Sequence, residues 1–297
     1  MKTTGLIAAF LLVTVSLGGC WLLQPKREFE PIALDAPGAS SAVDYSGLAE
    51  VLKAAISPGG EISPDELKAN SKMLEGQLML MALSGPKTRA DLFKNDRAIL
   101  NYWLNARAAW SLRLMLTFSG ERLKDAGVKT GPATRWLMSP DGATIEDFNN
   151  RQFPLDGGSM TLGLIDDLLE KEFGFKAVIA APCVSPLRAA IPIRPFETLD
   201  PGELIDKRFS EFIDDEKRFA IDTESKRILV PPVLWRYRGE IIASHEQKYG
   251  TTSPSLTTAL LPHVSLSPHR RLQDAVGYKP VAAPRRKAPQ LVKRDEG

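Results

Sequence analysis

Apolar residues recur at helical spacing throughout the first half of the chain. Side chains three and four positions apart share one face of a helix. Stripes of this kind cover residues 44–56, 64–83 and 96–118. The third stripe is the broadest, which predicts a helix that is buried on most of its sides.

The pattern changes in the second half of the chain. Residues 162–173 again show helical spacing, but residues 176–182 form a short, continuous apolar run, Lys-Ala-Val-Ile-Ala-Ala-Pro. Such a run favours a buried strand. Residues 218–222 and 227–230 flank a short polar loop, which predicts a β-hairpin.

A helix start is readable at Asp200. Asp200 is the predicted cap, Pro201 occupies the first turn, and Glu203 stands three residues after the cap, as in a capping box. The remaining short helices are predicted near residues 240–249 and 255–261. The elements together predict one α+β domain over residues 44–278. It is helix-rich and has a small, mostly antiparallel sheet that contains the strand near Lys176 and the hairpin.

The amino-acid composition excludes several classes of protein. The chain has 297 residues, of which 43% are hydrophobic and 25% charged, which excludes a disordered chain, a collagen-like repeat and a polytopic membrane protein. Thirty-eight Lys and Arg against 36 Asp and Glu leave a net charge of only +2. This balance gives no compositional support for nucleic-acid binding, and no nucleic-acid partner is expected.

The N-terminus is typical of a secretory leader. Lys2 precedes an apolar run over residues 6–17, and the run ends in Leu17-Gly18-Gly19-Cys20. A run of about a dozen residues is shorter than the roughly 20 that span a bilayer as a helix. The ending resembles a bacterial lipobox, whose cysteine receives a diacylglyceryl group before cleavage. We therefore predict a signal peptide over residues 1–19 and an acylated Cys20; cleavage nearby with a free Cys20, or an uncleaved anchor, are the alternatives.

An acylated Cys20 predicts the location of the protein. The lipid would tether the chain to a membrane of the bacterial cell envelope, with the body in the periplasm. Residues 20–43 contain Pro31, Pro37, Gly38 and Ser40-Ser41 and show no sustained period, so they are expected to form a flexible spacer. Residues 279–297 are basic and Pro-rich and are expected to form a disordered tail.

Familiar catalytic and metal-binding motifs are missing from the sequence. It has no glycine-rich phosphate loop, no His-Glu-x-x-His, no Cys-x-x-Cys and no Gly-x-Ser-x-Gly elbow. The three histidines, His245, His263 and His269, do not have the spacing of metal ligands. Neither a metal nor another cofactor is expected.

Cys183 is the second of two cysteines. With Cys20 acylated, Cys183 would be a lone thiol in an oxidising compartment, and such a thiol is either buried or functional. A nucleophilic thiol needs a base or a positive environment, and no histidine lies near Cys183 in the sequence.

Four segments resemble the bacterial family known as domain of unknown function 547. Asn101-Tyr-Trp-Leu-Asn105-Ala is similar to that family's Trp-Ile-Asn-Ala helix, and Met160-Thr-Leu-Gly-Leu-Ile-Asp-Asp167 to its Leu-Thr-Leu-x-x-Ile-Glu-His segment. The stretch from Ala180 to Arg188 resembles its Cys-Pro-x-Leu-Arg segment, and Leu234-Trp-Arg-Tyr237 its Phe-x-Trp-Tyr. The resemblance extends over about residues 44–277, and it implies a shared fold and a shared cleft without a settled activity.

The departures from the family bear on function. Arg107, Asp166, Asp167 and Val178 stand where the family has the polar groups expected of acid–base chemistry. The candidate catalytic residues that remain are Cys183, Asn105 and Asp166. The candidate cleft or packing residues are Trp103, Arg107, Ser185, Arg188, Trp235 and Tyr237.

Two functions stay open at this point. The expected one is a non-catalytic envelope module that binds another envelope protein or a wall polymer, because packing residues are kept while acid–base groups are altered. The alternative is a cysteine-type hydrolase or transferase that acts on envelope peptide or acyl groups. In that case Arg107 or Arg188 would stabilise the thiolate of Cys183 by charge.

Overall fold

The computed structural model describes residues 43–125, 145–185, 187–197, 200–215 and 219–283, without the side chains of residues 117–125 and 145–147. The predicted leader, the predicted acylation site Cys20, residues 20–42 of the predicted spacer and residues 284–297 of the predicted tail lie outside these residues. The described chain forms twelve α-helices: α1 (Ser46–Ala55), α2 (Pro64–Ala69), α3 (Ser71–Leu83), α4 (Asp96–Asp125), α5 (Ile145–Asn150), α6 (Leu162–Phe173), α7 (Phe175–Ala180), α8 (Pro201–Asp214), α9 (Pro232–Arg236), α10 (Arg238–Tyr249), α11 (Leu256–Leu260) and α12 (Leu266–Asp274).

Short strands form two small sheets beside the helices. The strands are β1 (Phe153–Leu155), β2 (Gly158–Met160), β3 (Ala220–Asp222), β4 (Arg227–Val230) and β5 (Lys279–Ala282). β1 and β2 form an antiparallel hairpin, whereas β4 pairs antiparallel with β3 and parallel with β5. The prediction of a helix-rich α+β fold is confirmed, and so is the predicted hairpin of β3 and β4.

α4 is the central element of the core. It packs against α2, α3, α6 and α8. Its buried side chains lie on several faces of the helix, as the broad apolar stripe predicts; they include Leu100, Tyr102, Leu104, Ala106, Ala109 and Leu112. No helix in the described part of the chain combines the length and the apolar character needed to cross a bilayer.

The prediction of a strand over residues 176–182 is wrong. These residues belong mostly to α7, whose side chains from Ala177 to Ala180 are all buried. A short apolar run is buried equally well as a strand or as a helix, so periodicity cannot separate the two. Gly174, with φ of 79°, ends α6 and caps α7, and this left-handed backbone conformation turns the chain from one helix into the next.

The third strand of the larger sheet comes instead from the end of the domain. β5 occupies Lys279–Ala282, four residues that the sequence analysis assigned to the disordered tail. Arg227 lies opposite Lys279 in the parallel pair, and the Ala283 amide donates a hydrogen bond of 2.7 Å to the Val230 carbonyl. Backbone pairing with β4 orders this segment, a long-range contact that composition does not reveal.

The predicted helix over residues 64–83 is interrupted at Asn70. The backbone of Asn70 leaves the helical region, with φ of −93° and ψ of 11°, and separates α2 from α3. Its side-chain amide donates to the Glu66 carbonyl at 2.8 Å, which satisfies an acceptor at the end of α2. At α8, by contrast, the Asp200 carboxylate accepts from the amides of Gly202 and Glu203, as predicted.

A buried carboxylate holds the hairpin of β1 and β2 against the segment that follows α3. The turn of the hairpin is Asp156-Gly157, both with positive φ, as in a type I′ turn. The buried Asp156 carboxylate accepts from the Lys87 amide at 2.8 Å and from the Thr88 amide and hydroxyl at 2.9 Å each. Gly85 lies directly against this carboxylate, where a Cβ would be 2.5 Å from Asp156 Cγ.

Gly85→Ala is expected to destabilise the protein. The added methyl would overlap Asp156 and the Tyr102 hydroxyl, and overpacking of this kind costs about 1–3 kcal/mol. Gly76→Ala in α3 is the matched control, because a Cβ there meets no atom within 4 Å and alanine favours a helix. Urea unfolding measures both variants; a Gly85→Ala variant as stable as Gly76→Ala contradicts the prediction.

Stability is also expected to depend on the pH through His263. Burial, with Lys176 nearby, lowers the pKa of His263 from 6.5 to about 4. The unfolded chain then binds a proton at His263 more tightly than the folded chain does. The contribution of neutral His263 to the free energy of unfolding is therefore fully present above pH 6.5 and is lost as the pH falls towards 4. His263→Phe keeps a ring against Phe209. Its unfolding free energy should fall less steeply than that of the wild type between pH 6.5 and 4, and parallel curves would refute this account.

Candidate functional site

Arg107 and Asp166 form a buried ion pair at the centre of the domain. Arg107 projects from α4 and is fully buried, and Asp166 projects from α6. The guanidinium donates from Nε to Asp166 Oδ1 at 2.7 Å and from Nη2 to Oδ2 at 3.2 Å. Its Nη1 donates to the Pro182 carbonyl. The two ends of the pair come from positions at which the sequence departs from the family that it resembles.

Arg188 completes the group from the loop that follows α7. Its Nη2 donates to both oxygens of Asp166, at 2.9 and 3.0 Å, and to the Val178 carbonyl at 3.1 Å. The loop is folded back on itself because the Cys183 amide donates to the Ala189 carbonyl at 2.9 Å. The buried Ser185 shapes the turn: its hydroxyl accepts from the Leu187 amide.

The group contains two guanidinium ions and one carboxylate. The side chains of Asp166 and Arg188 are only 14% and 16% exposed. Burial alone would raise the pKa of Asp166, but the two guanidinium groups outweigh it and hold that pKa below its ordinary value. Burial and the neighbouring Arg107 lower the pKa of Arg188. Asp166 is therefore ionised at neutral pH, and its charge is compensated from both sides.

Cys183 lies against the positive side of this group. Its side chain is buried, with 3% of the residue exposed. Burial lowers the pKa of Arg107, but the attraction of the Asp166 carboxylate, and after it the neighbouring Cys183 side chain, raise that pKa above its ordinary value. The structure thus brings together four residues that the sequence singled out separately: Arg107, Asp166, Cys183 and Arg188.

Asn105 faces away from this group. Its side-chain amide donates to the Phe196 carbonyl at 2.9 Å, and its side-chain oxygen accepts from the Phe196 amide at 2.8 Å. The residue is 1% exposed. Asn105 thus pairs with the loop before α8 in the manner of a strand, as expected for an asparagine in a packing role.

Tyr237 binds Glu170, a carboxylate on the same helix as Asp166 that the sequence did not single out. The Tyr237 hydroxyl donates to Glu170, which lies one helical turn after Asp166 on α6. Burial and this bond raise the pKa of Tyr237. Arg236 pairs with the same carboxylate at 3.3 Å. The spacing of four residues between Asp166 and Glu170 is the sequence signal that could have revealed this second partner.

The two candidate tryptophans, Trp103 and Trp235, pack without bonding to the ion group. Trp103 is buried and meets the Tyr102 ring edge-to-face, with ring centres 5.0 Å apart. Trp235 is half-buried, and the Arg238 guanidinium lies 4.7 Å from the centre of its ring. Asp167, beside Asp166 in the sequence, is exposed. Over the described residues no group of three His, Cys, Asp or Glu side chains is placed to hold a metal ion.

Asp166→Asn is expected to destabilise the protein strongly. Removal of one partner leaves two guanidinium groups uncompensated in the interior, which typically costs roughly 3–5 kcal/mol. Asp167→Asn changes the neighbouring, exposed carboxylate and should alter stability by less than about 0.5 kcal/mol. Denaturant unfolding at pH 7 measures the difference; similar losses in the two variants would show that the buried pair contributes little.

Comparison of the chain with protein-family models, with curated proteins and with solved structures gives no match. The resemblance to domain of unknown function 547 therefore stays a prediction from the four segments.

Proposed function

We propose that the protein is a non-catalytic binding module of the bacterial cell envelope, tethered to a membrane by a lipid on Cys20. Its body would present a surface to another envelope protein or to a wall polymer. The support for the tether is the leader and the lipobox-like ending. A non-catalytic role is supported by the hydrogen bonds that already occupy the polar atoms of the candidate residues Asp166 and Asn105.

The observation that carries the proposal is the saturated bonding of Asp166. Its two oxygens accept two hydrogen bonds from Arg107 and two from Arg188. A general base needs a free lone pair within reach of substrate and a pKa near the working pH. Asp166 has neither property, because its oxygens are occupied and its pKa is held low.

The surroundings of Asn105 and Cys183 also leave neither side chain available for catalysis. Both polar atoms of the Asn105 side chain bond to Phe196. The guanidinium groups of Arg107 and Arg188 both interact with the Cys183 side chain, and a guanidinium accepts no proton and so cannot serve as the base for a thiol. Burial also withholds the sulfur from a polymer or a peptide, which would have to enter the core to reach it.

One observation favours the second candidate, a cysteine-type hydrolase or transferase. A guanidinium beside a sulfur stabilises the thiolate, which is the nucleophilic form. Two guanidinium groups face a single carboxylate here, so the surroundings of Cys183 carry a net positive charge. This candidate requires an opening of the loop over residues 183–189 that brings substrate to the sulfur.

The test combines complementation with thiol chemistry. In a deletion strain, Cys183→Ser should restore the envelope phenotype as well as the wild type does, whereas Cys20→Ala should fail because the tether is lost. Iodoacetamide should modify Cys183 at least tenfold more slowly in the native protein than in urea, because the sulfur is buried. Rapid native alkylation together with loss of complementation by a stable Cys183→Ser variant would establish the enzyme instead.

A further inference from the structure

The outward side of α3 is apolar although it is exposed. The buried side of the helix is formed by Leu74, Gln77, Leu78 and Met81. On the other side Met79 is 61% exposed, Leu80 48% and Met73 43%. Gly76 lies between them, and its lack of a side chain leaves the middle of the surface flat. We call Met73, Gly76, Met79 and Leu80 the α3 outer face.

The charged residues around the α3 outer face are an ion pair and a lysine. Glu75, on the same side of the helix, pairs with Arg113 of α4 at 3.2 Å. Lys72 is exposed one residue before Met73. The face therefore combines apolar side chains with a cation at its edge, a composition that suits the boundary between the acyl chains and the anionic headgroups of a bilayer.

The chain leading back to Cys20 leaves the domain beside this face. The Gln77 side chain donates to the Asp44 carbonyl at 3.0 Å and accepts from the Leu48 amide at 3.2 Å. At Gly47 a Cβ would lie 3.7 Å from Met73 Cγ. The start of the domain is thus held at the edge of the α3 outer face. Residues 21–42 would span about 70 Å when fully extended, so a lipid at Cys20 leaves this face free to reach the membrane.

The size of the face argues against a second copy of the chain as its occupant. α3 has 13 residues, so it is about 20 Å long, and one side of it offers roughly 200 Å². A stable protein interface buries about 800 Å² on each partner. A membrane contact needs far less area, because the tether already keeps the domain at a high effective concentration near the lipid.

From these observations we propose that the α3 outer face rests on the bilayer to which the chain is tethered. Met73, Met79 and Leu80 lie among the headgroups and the upper acyl chains, and Lys72 contacts lipid phosphate. The proposal rests on the lipid tether of the proposed function. It goes beyond that function because it fixes which side of the domain faces the membrane and which sides face the periplasm.

The test places a dye at one exposed position on this face and at one elsewhere. The full-length, mature protein carries Met79→Cys or, as the control, Leu266→Cys at a position on α12 that is 92% exposed. Each variant is labelled with a maleimide fluorophore and reconstituted into vesicles of phosphatidylethanolamine and phosphatidylglycerol, with or without nitroxide-labelled lipid. Protein without an introduced cysteine measures any labelling of Cys183, and mass spectrometry of the same sample reports the state of Cys20.

Nitroxide lipid should quench the dye at position 79 at least threefold more than the dye at position 266. Equal quenching at both positions on protein with an acylated Cys20 would overturn the membrane contact and leave the tether intact. A dye at position 79 that is shielded from iodide in water but not quenched by nitroxide lipid would show that protein covers the face, which also overturns it. An unmodified Cys20 would refute the tether, and the membrane contact with it.

Discussion

The buried carboxylate of Asp166 holds together three parts of the chain that are far apart in sequence. Arg107 binds it from α4, Asp166 itself belongs to α6, and Arg188 binds it from the loop after α7. A carboxylate removed from water requires nearly complete compensation by charge and hydrogen bonds. That requirement fixes the distance between α4 and α6 and brings the loop over residues 183–189 back onto α7.

The same interaction determines the chemistry of the interior. Because the guanidinium groups also bond to the carbonyls of Pro182 and Val178, they join the side-chain pair to the backbone around α7. Cys183 begins this loop and is buried, and its side chain interacts with Arg107. The polar residues that a family resemblance would place in a reactive cleft here support the packing of helices, which is why the proposed function belongs to the surface of the domain.

The pair of helices α3 and α4 contributes to the core on its inner sides and to an exposed apolar surface on the outer side of α3. The inner sides carry the core, with Tyr102 of α4 donating to the Met81 carbonyl of α3 at 2.6 Å. The outer side of α3 is left apolar, next to the point where the chain enters the domain. An exposed apolar surface is costly unless something covers it, and the proposed tether would make a membrane available at close range.

The sequence by itself determined the elements whose signals are local. Asp200 caps α8 through amides two and three residues away, and the hairpin of β3 and β4 follows from alternation across a short loop. The Asp156-Gly157 turn of the first hairpin carries an equally local signal, because this residue pair favours a type I′ turn. The prediction of a helix-rich α+β domain was confirmed because these patterns depend on neighbours within a few residues.

Only the tertiary structure decided the elements and contacts that depend on distant partners. Arg107 meets Asp166 across 59 residues and Asn105 meets Phe196 across 91, and no periodicity encodes such pairs. Burial on all sides left the backbone of residues 176–182 ambiguous between strand and helix, and packing against α6 and α8 made it α7. β5 became a strand because β4 offered it an edge. Hydrogen bonds and charges that are buried must find partners in space, and the fold determines which residues are close enough to supply them.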